Sequence, residues 1–294
     1  MVKIGILALD EGAGIGMRRR LESLGWVERK NVIFDYRHAG GETARLPEIA
    51  AELVRAKPDV IVAWNNSPAF AAKAATDTIP IVVWGAHDAV GTGLARSLAR
   101  PGANVTGTDS VAPELDAKRI ELLKQIVPTV QTLAVLYNPD DQGSPIHLNW
   151  TADTARKIGV DLVRLQVRRA ADYNVAFAST AGTRMDALLI FTDWVTFANW
   201  SRAREFAREN KVPTICEFSQ LVEGGCLVSY GPTFEEFNER VAAQVNRILK
   251  GGKPEELPFE QPTRFELAVN IKTAKALGIK IPNSILVRAD KLIE

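Results

Sequence analysis

The sequence predicts an α/β protein of two doubly wound parallel-sheet lobes, and three observations carry that prediction. Short apolar, β-branched runs alternate with amphipathic helical patterns almost without interruption, which is the signature of parallel strands covered on both faces by helices. The alternation starts afresh after Pro113, and a chain of 294 residues exceeds the usual size of a single domain.

In the first set, strands are expected at Lys3–Leu9, Val32–Tyr36, Val60–Ala63, Ile81–Trp84 and Val105–Gly107. Helical patterns lie between them at Ile15–Leu24, Arg45–Ala56, Pro68–Thr76 and Leu94–Ala99. The second set has a helix at Glu114–Ile126 and strands at Leu133–Tyr137, Leu162–Gln166, Ala187–Phe191, Thr214–Cys216 and Leu227–Tyr230. One long amphipathic helix, Thr233–Leu249, stops at Gly251, and a last strand and helix follow at Phe265–Asn270 and Lys272–Leu277.

Composition narrows the functional classes. Lys plus Arg (36) nearly cancels Asp plus Glu (35) with no long run of either sign, so a dedicated nucleic-acid surface is not expected. Arg18, Arg19 and Arg20 form the densest basic cluster, but adjacent helical residues point in different directions and read as a solvated face. Cys216 and Cys226 lack metal-site spacing, and Cys216 ends an apolar run, so it reads as a packed thiol; no metal is expected. No apolar stretch reaches the roughly 18 to 20 residues that span a bilayer. MVKIGILALD is too short and too strand-like for a signal peptide, so an exported protein would have carried its leader ahead of Met1.

The most informative stretch is IPIVVWGAHDAVGTGLARSLARPGANVTG, Ile79 to Gly107, where a buried strand breaks into a polar loop carrying Asp88 and then a glycine-opened helical pattern. Together with LGWVERKNVIFDYR, RLPEIAAELVRAKPDVIVA, KRIELLKQIVP, EGGCLVSYGPT and the tail PTRFELAVNIKTAKALGIKIPNSILVRAD, it closely resembles the substrate-binding proteins of bacterial ABC transporters, and among them lipoproteins that bind tryptophan and other aromatic amino acids. The resemblance covers nearly the whole chain. Asp10–Met17 departs from it, standing where the family has a longer polar loop.

The resemblance implies the type I periplasmic binding protein fold, with the chain crossing between lobes near Asp109, Gly231 and Pro258 in a three-segment hinge. The lobes would then comprise 1–108 with 232–258 and 109–231 with 259–294, with the ligand cleft between them. It also implies a periplasmic or membrane-anchored extracytoplasmic receptor, acting as a monomer without catalysis or cofactor, that captures a small molecule such as an amino acid. Its expected partners are an ABC permease and a separate ATPase.

Ligands of open parallel sheets bind beyond the carboxyl ends of the strands. Trp64, Asn65, Asn66 and Ser67 follow the third strand, and either Asn66 or Ser67 is placed to cap the next helix, whose N–H groups favour a carboxylate. Asp88 stands at the family's acidic position, placed either to pair with a ligand ammonium or to fix its own loop. In the second lobe Asn138, Asp193 and Glu217 sit at strand ends, and Tyr230 lies beside a crossing, where it reaches the cleft or packs the hinge. Trp64, Trp84, Trp194 and Tyr137 end strands, which points to flat apolar walls for an aromatic or bulky carboxylate, or to rings that fill the pocket.

Two other classes compete. Gly12, Gly14 and Gly16 lie where a dinucleotide-binding turn would, but Met17 and Arg19 occupy the positions that turn needs small, and no GxSxG elbow is present. A ligand-sensing ectodomain of a signalling receptor would reuse the same fold.

Overall fold

The computed structural model describes residues 1–110 and 112–294, the side chains of residues 112–114 excepted. The chain divides into two compact units, Met1–Val111 with Phe234–Pro262, and Ala112–Thr233 with Thr263–Glu294. It therefore passes three times from one unit to the other.

Unit 1 contains β1 (Val2–Ala8), α1 (Ile15–Ser23), β2 (Val32–His38), α2 (Leu46–Arg55), β3 (Val60–Trp64), α3 (Asn66–Ala75), β4 (Ile81–His87) and β5 (Val105–Ser110). Unit 2 follows with α4 (Ala112–Ile126), β6 (Thr132–Tyr137), α5 (Ser144–Lys157), β7 (Asp161–Gln166), α6 (Tyr173–Ala178), β8 (Ala187–Ile190), α7 (Trp194–Ala198), α8 (Trp200–Glu209), β9 (Thr214–Cys216), α9 (Ser219–Glu223) and β10 (Val228–Pro232). The long helix α10 (Phe234–Leu249) belongs to unit 1, and β11 (Phe265–Asn270), α11 (Ile271–Leu277), α12 (Asn283–Leu286) and β12 (Lys291–Ile293) belong to unit 2.

The sheet of unit 1 has the order β2-β1-β3-β4-β5, all parallel. Its inner strands β3 and β4 are buried along their whole length, while the edge strand β2 alternates between buried and open positions. That contrast is what two-sided helical cover demands: α2 and α3 pack on one side, α1 and α10 on the other. Gly16 lets α1 and α10 approach closely, since a Cβ there would lie 2.2 Å from the Asn238 amide nitrogen. The arginine cluster is not simply solvated. Arg18 lies over the rings of Phe34 (4.8 Å) and Tyr36 (5.6 Å), and Arg20 pairs with Glu235 and Glu239 of α10.

Unit 2 repeats the plan with the order β12-β11-β10-β9-β8-β6-β7. One side of its sheet buries Ile120, Leu123 and Leu148 of α4 and α5 with Ala274 and Ile285 of the tail. The other buries Tyr173, Val195, Ala203 and Leu221 from α6 to α9. The sheet is not wholly parallel: β11 runs antiparallel to β10, with Pro232 opposite Phe265. Connectivity requires this, because the chain leaves unit 2 at the end of β10 and re-enters at the same edge.

Two local expectations are corrected. Residues 94–99 form turns rather than a helix. The run is shorter than two helical turns and bounded by Gly93 and by Pro101 and Gly102, so it cannot offset helix nucleation. Its amides bond elsewhere, Ala95 to the Ala89 carbonyl and Arg96 to that of Pro101. Likewise Cys216 is not a packed thiol but is disulfide-bonded to Cys226. The short helix α9 folds the chain back between the neighbouring strands β9 and β10 and brings the two Cα atoms to 6.7 Å.

Closing a loop of this length stabilises by about 3 kcal/mol in the chain-entropy account. Cys216→Ser with Cys226→Ser is therefore expected to lower the unfolding free energy of unit 2 by about that amount in urea titration, whereas equal stability of oxidised and reduced wild-type protein would show that the bridge does not form.

Candidate functional site

Parallel pairing places the carboxyl ends of β1, β3, β4 and β5 along one edge of unit 1, and those of β6, β8, β9 and β10 along one edge of unit 2. Both strand orders reverse direction once, between β1 and β3 and between β6 and β8, which is where open α/β sheets hold ligands. Trp64 to Ser67 follow β3 at the first reversal. Asn138 follows β6, and Asp193 and Trp194 follow β8, at the second.

In unit 1 the backbone turns sharply at Asn65, a buried residue with φ 68° and ψ −174°, a region rarely open to a side chain other than glycine's. It is held there by its main-chain N–H, which donates to the Trp84 carbonyl (2.9 Å), and its side-chain amide faces the carbonyls of Trp84 and Gly85, an environment that suits the amide nitrogen turned toward them. Asn66 does not cap α3. Its side chain, fully buried, accepts from His87 N–H (2.8 Å) and donates to the His87 carbonyl (2.9 Å), tying the ends of β3 and β4 together. The turn thus starts α3 at Asn66, and the side chain of its N-cap residue, Asn65, makes no cap hydrogen bond to the helix.

Trp64 ends β3, but Trp84 does not end its strand as expected, since β4 continues to His87; the two rings stack on each other, with centroids 4.5 Å apart and planes within 10°. Trp84 also meets Phe234 and Phe237 of α10 and donates its indole N–H to Asn238 (3.0 Å). Asp88 is partly open, and one carboxylate oxygen accepts from Gly91 N–H (2.8 Å), the loop-fixing arrangement.

One residue of this edge was not singled out by the sequence. Asp109 sits on β5 beside Ala86 of β4, 4% exposed, and accepts only main-chain N–H groups, that of Ala89 at 3.3 Å and that of Asp88. Among the described residues no Lys or Arg lies within ion-pair distance of it. Burial is the largest influence on its carboxyl, which is pushed up to about 7; the Asp88 charge pushes the same way, and the Ala89 amide and His87 oppose it. The sequence concealed it because β5 reads as ending at Gly107, whereas the strand continues through Thr108, Asp109 and Ser110.

In unit 2, Asp193 accepts from Thr196 N–H (3.0 Å), capping α7, and from Asn138 N–H (2.9 Å), which ties the ends of β8 and β6. Tyr137 is buried, its hydroxyl accepting from Gln166 (2.9 Å) and its ring set against Phe191. Trp194 opens α7 and packs on Phe197.

Glu217 and Tyr230 are joined by a residue the sequence reading missed. Arg119 of α4, 3% exposed, donates to the Tyr230 carbonyl (2.8 Å) and to Asp116 (2.6 Å), and its second terminal nitrogen stands 3.7 Å from Glu217. Asp116 further accepts from Thr151 (3.2 Å) and lies 3.7 Å from His147. A signal for this cluster was present: Asp116 and Arg119 share the helical stripe of Ile120, Leu123 and Ile126 that faces the core, where charge requires partners.

A groove of about 330 Å³ lies away from these edges, between α1 and β2, lined by Arg18, Glu22, Trp26 and Phe34 among others. Among the described residues no helix is long and apolar enough to cross a membrane.

The two polar strand edges, each at a reversal of its sheet, define a ligand-binding protein. The chain belongs to the ABC transporter substrate binding protein family, whose model matches residues 8–293. It is similar to a tyrosine-binding protein of Clostridioides difficile (strain R20291), at 29% identity over 282 residues, covering 94% of this chain and 81% of the relative. Among solved structures it resembles a conserved domain protein of Vibrio cholerae O1 biovar El Tor, at 30% identity and a TM-score of 0.93 over 99% of both chains. A streptococcal ABC domain in complex with L-Trp has a TM-score of 0.92 at 24% identity, again over 99% of both chains. The fold is that of the type I periplasmic binding proteins.

Two outcomes follow for the buried charges. Replacing Arg119 by Met leaves Asp116 and Glu217 buried without their cation and is expected to destabilise unit 2 by about 3 to 5 kcal/mol in denaturant titration; a change below about 1 kcal/mol would mean that the cluster is solvated. For Asp109, the folded chain holds the proton more tightly than the unfolded one, so its burial is without cost near pH 4 and costs most above pH 7. The gap between 3.8 and about 7 corresponds to roughly 4 kcal/mol at most. Asp109→Asn should therefore gain stability relative to wild type as pH rises from 4 to 7, with the difference level above that; a difference independent of pH would contradict the shift.

Proposed function

We propose that the protein is the extracytoplasmic receptor of an ABC importer for an amino acid with a large, aromatic side chain. The observation that carries this reading is the strained turn at Asn65, which begins α3 with no cap hydrogen bond from the Asn65 side chain, beside the stacked Trp64 and Trp84. Backbone strain of this kind costs on the order of 1 to 3 kcal/mol and persists where the surroundings impose it, characteristically at ligand clamps. A helix N-terminus presents N–H groups and positive potential to a carboxylate, and neighbouring indole rings suit a flat apolar side chain.

The similarity to a tyrosine-binding protein supports the same ligand class. The same fold holds L-Trp in the streptococcal structure, where the likeness bears on the fold alone. The disulfide supports an oxidising, extracytoplasmic location.

In this reading the ligand is taken up at the strand ends, with Trp64 to Ser67, Trp84 and Asp88 contributing from unit 1. Tyr137, Asn138, Asp193, Trp194, Glu217 and Tyr230 contribute from unit 2. The three chain segments that link the units act as the hinge. Closure is favoured only by contacts the ligand makes better in the closed form, which requires groups from both units. The closed receptor is then recognised by a permease coupled to a separate ATPase.

The test is a thermal-shift screen of ligand-stripped protein against amino acids, aromatic acids, sugars and nucleotides, with calorimetry on every hit. L-Tyr or L-Trp at about 100 times its dissociation constant is expected to stabilise the protein by roughly 2.7 kcal/mol. A response confined to sugars or nucleotides would overturn the reading.

A further inference from the structure

We infer that Asp109 is the anion that receives the ligand's α-ammonium group. The inference rests on the amino-acid reading above and deepens it, since the sequence offered Asp88 for this role and placed a second acid, Asp193, at a strand end.

Both of those carboxylates already do structural work. Asp193 spends one oxygen on the first turn of α7 and the other on the end of β6, so turning it toward a ligand would release both. Asp88 closes its own loop through Gly91 N–H and the Thr92 hydroxyl, which donates to the Asp88 carbonyl at 2.7 Å. Asp109 is more loosely held: it accepts from the main-chain N–H groups of Ala89, at a long 3.3 Å, and of Asp88, and the carboxyl is buried without a Lys or Arg partner among the described residues.

A carboxylate in this position carries a desolvation cost that main-chain amides only partly offset, and an arriving cation removes it. The contrast with Glu236 and Glu260 is instructive. Both lie near β5 and are equally part of unit 1, but Arg240 bonds to each, at 2.6 and 2.9 Å. Arg240 thus partners the buried Glu236 and the part-buried Glu260, whereas among the described residues no Lys or Arg partners Asp109 and only His87 acts on it as a cation. The charged or titratable groups around Asp109 are Asp88 and His87 from the β4 end, and the mutually paired Glu236, Arg240 and Glu260 from the α10 side.

Asn66, at the start of α3, and Asp109 bond to neighbouring amides of the same β4 end, those of His87 and Ala89, so both groups belong to one strand edge.

The experiment compares L-Tyr and L-Trp with their desamino analogues, 3-(4-hydroxyphenyl)propionate and indole-3-propionate, by calorimetry on wild-type protein and Asp109→Asn. Wild type is expected to prefer each amino acid by roughly 10- to 100-fold, in keeping with a charge-assisted bond of about 1.5 to 3 kcal/mol. Asp109→Asn should erase most of that preference by weakening the amino acids while leaving the analogues within about 3-fold. Amino acids that bind Asp109→Asn as tightly as wild type, or an equal loss for both ligand types, would overturn the assignment and leave the amino-acid reading standing. Wild-type protein that binds neither L-Tyr nor L-Trp would overturn both.

If Asp109→Asn does not fold, wild-type binding measured from about pH 5 to about pH 8 in buffers of different ionisation enthalpy decides the matter. An ammonium that ionises Asp109 releases protons on binding wherever the acid is protonated in the free protein, and the release falls away as pH rises through that range. Binding with no buffer dependence anywhere in that range would overturn the assignment.

Discussion

Parallel strand pairing is the constraint on which the rest of this structure depends. It sends every loop that follows an inner strand to the same edge of its sheet, so the polar residues of those loops are crowded together and partly buried whether or not a ligand is present. Crowding forces a choice of partners. Each unit resolves it with one side chain that ties adjacent strand ends: Asn66 to the His87 main chain in unit 1, Asp193 to Asn138 in unit 2. These ties fix the edges, and they explain why residues that read as caps or ligand contacts are already hydrogen-bonded.

The two edges differ electrostatically. In unit 2 the buried charges are matched, with Arg119 set among Asp116, Glu217 and the Tyr230 carbonyl. Such a cluster is held by removal costs rather than by net attraction, since withdrawing one member strands the others. In unit 1 the buried acid at the end of β5 is left unmatched. An unmatched buried charge at a strand edge is costly to keep, and recognition of a cation by that charge accounts for its presence.

The sheets were legible because buried parallel strands are short β-branched runs, and VIVAW, IVVWGAH and TLAVLY announce themselves that way. The helix expected at 94–99 failed because apolar spacing over six residues does not separate a helix from a turn network. The disulfide was illegible for a different reason: a ten-residue separation between cysteines carries no signal until α9 folds them together. Asp109 was hidden by the polar end of its own strand. Arg119 was visible in principle, as a charge on a core-facing stripe. The ligand-proximal side chains were legible as positions after strands, but their partners depend on strand register, which one sequence does not display.

The proposed site puts an aromatic amino acid at the carboxyl ends of β3, β4 and β5, and a crystal structure of the protein grown with L-Trp or L-Tyr would locate it. The ligand carboxylate is expected against the first turn of α3 and its ammonium about 3 Å from an Asp109 oxygen. Ligand density in the groove between α1 and β2, beside Arg18 and Phe34, with the strand ends filled only by water, would contradict that placement.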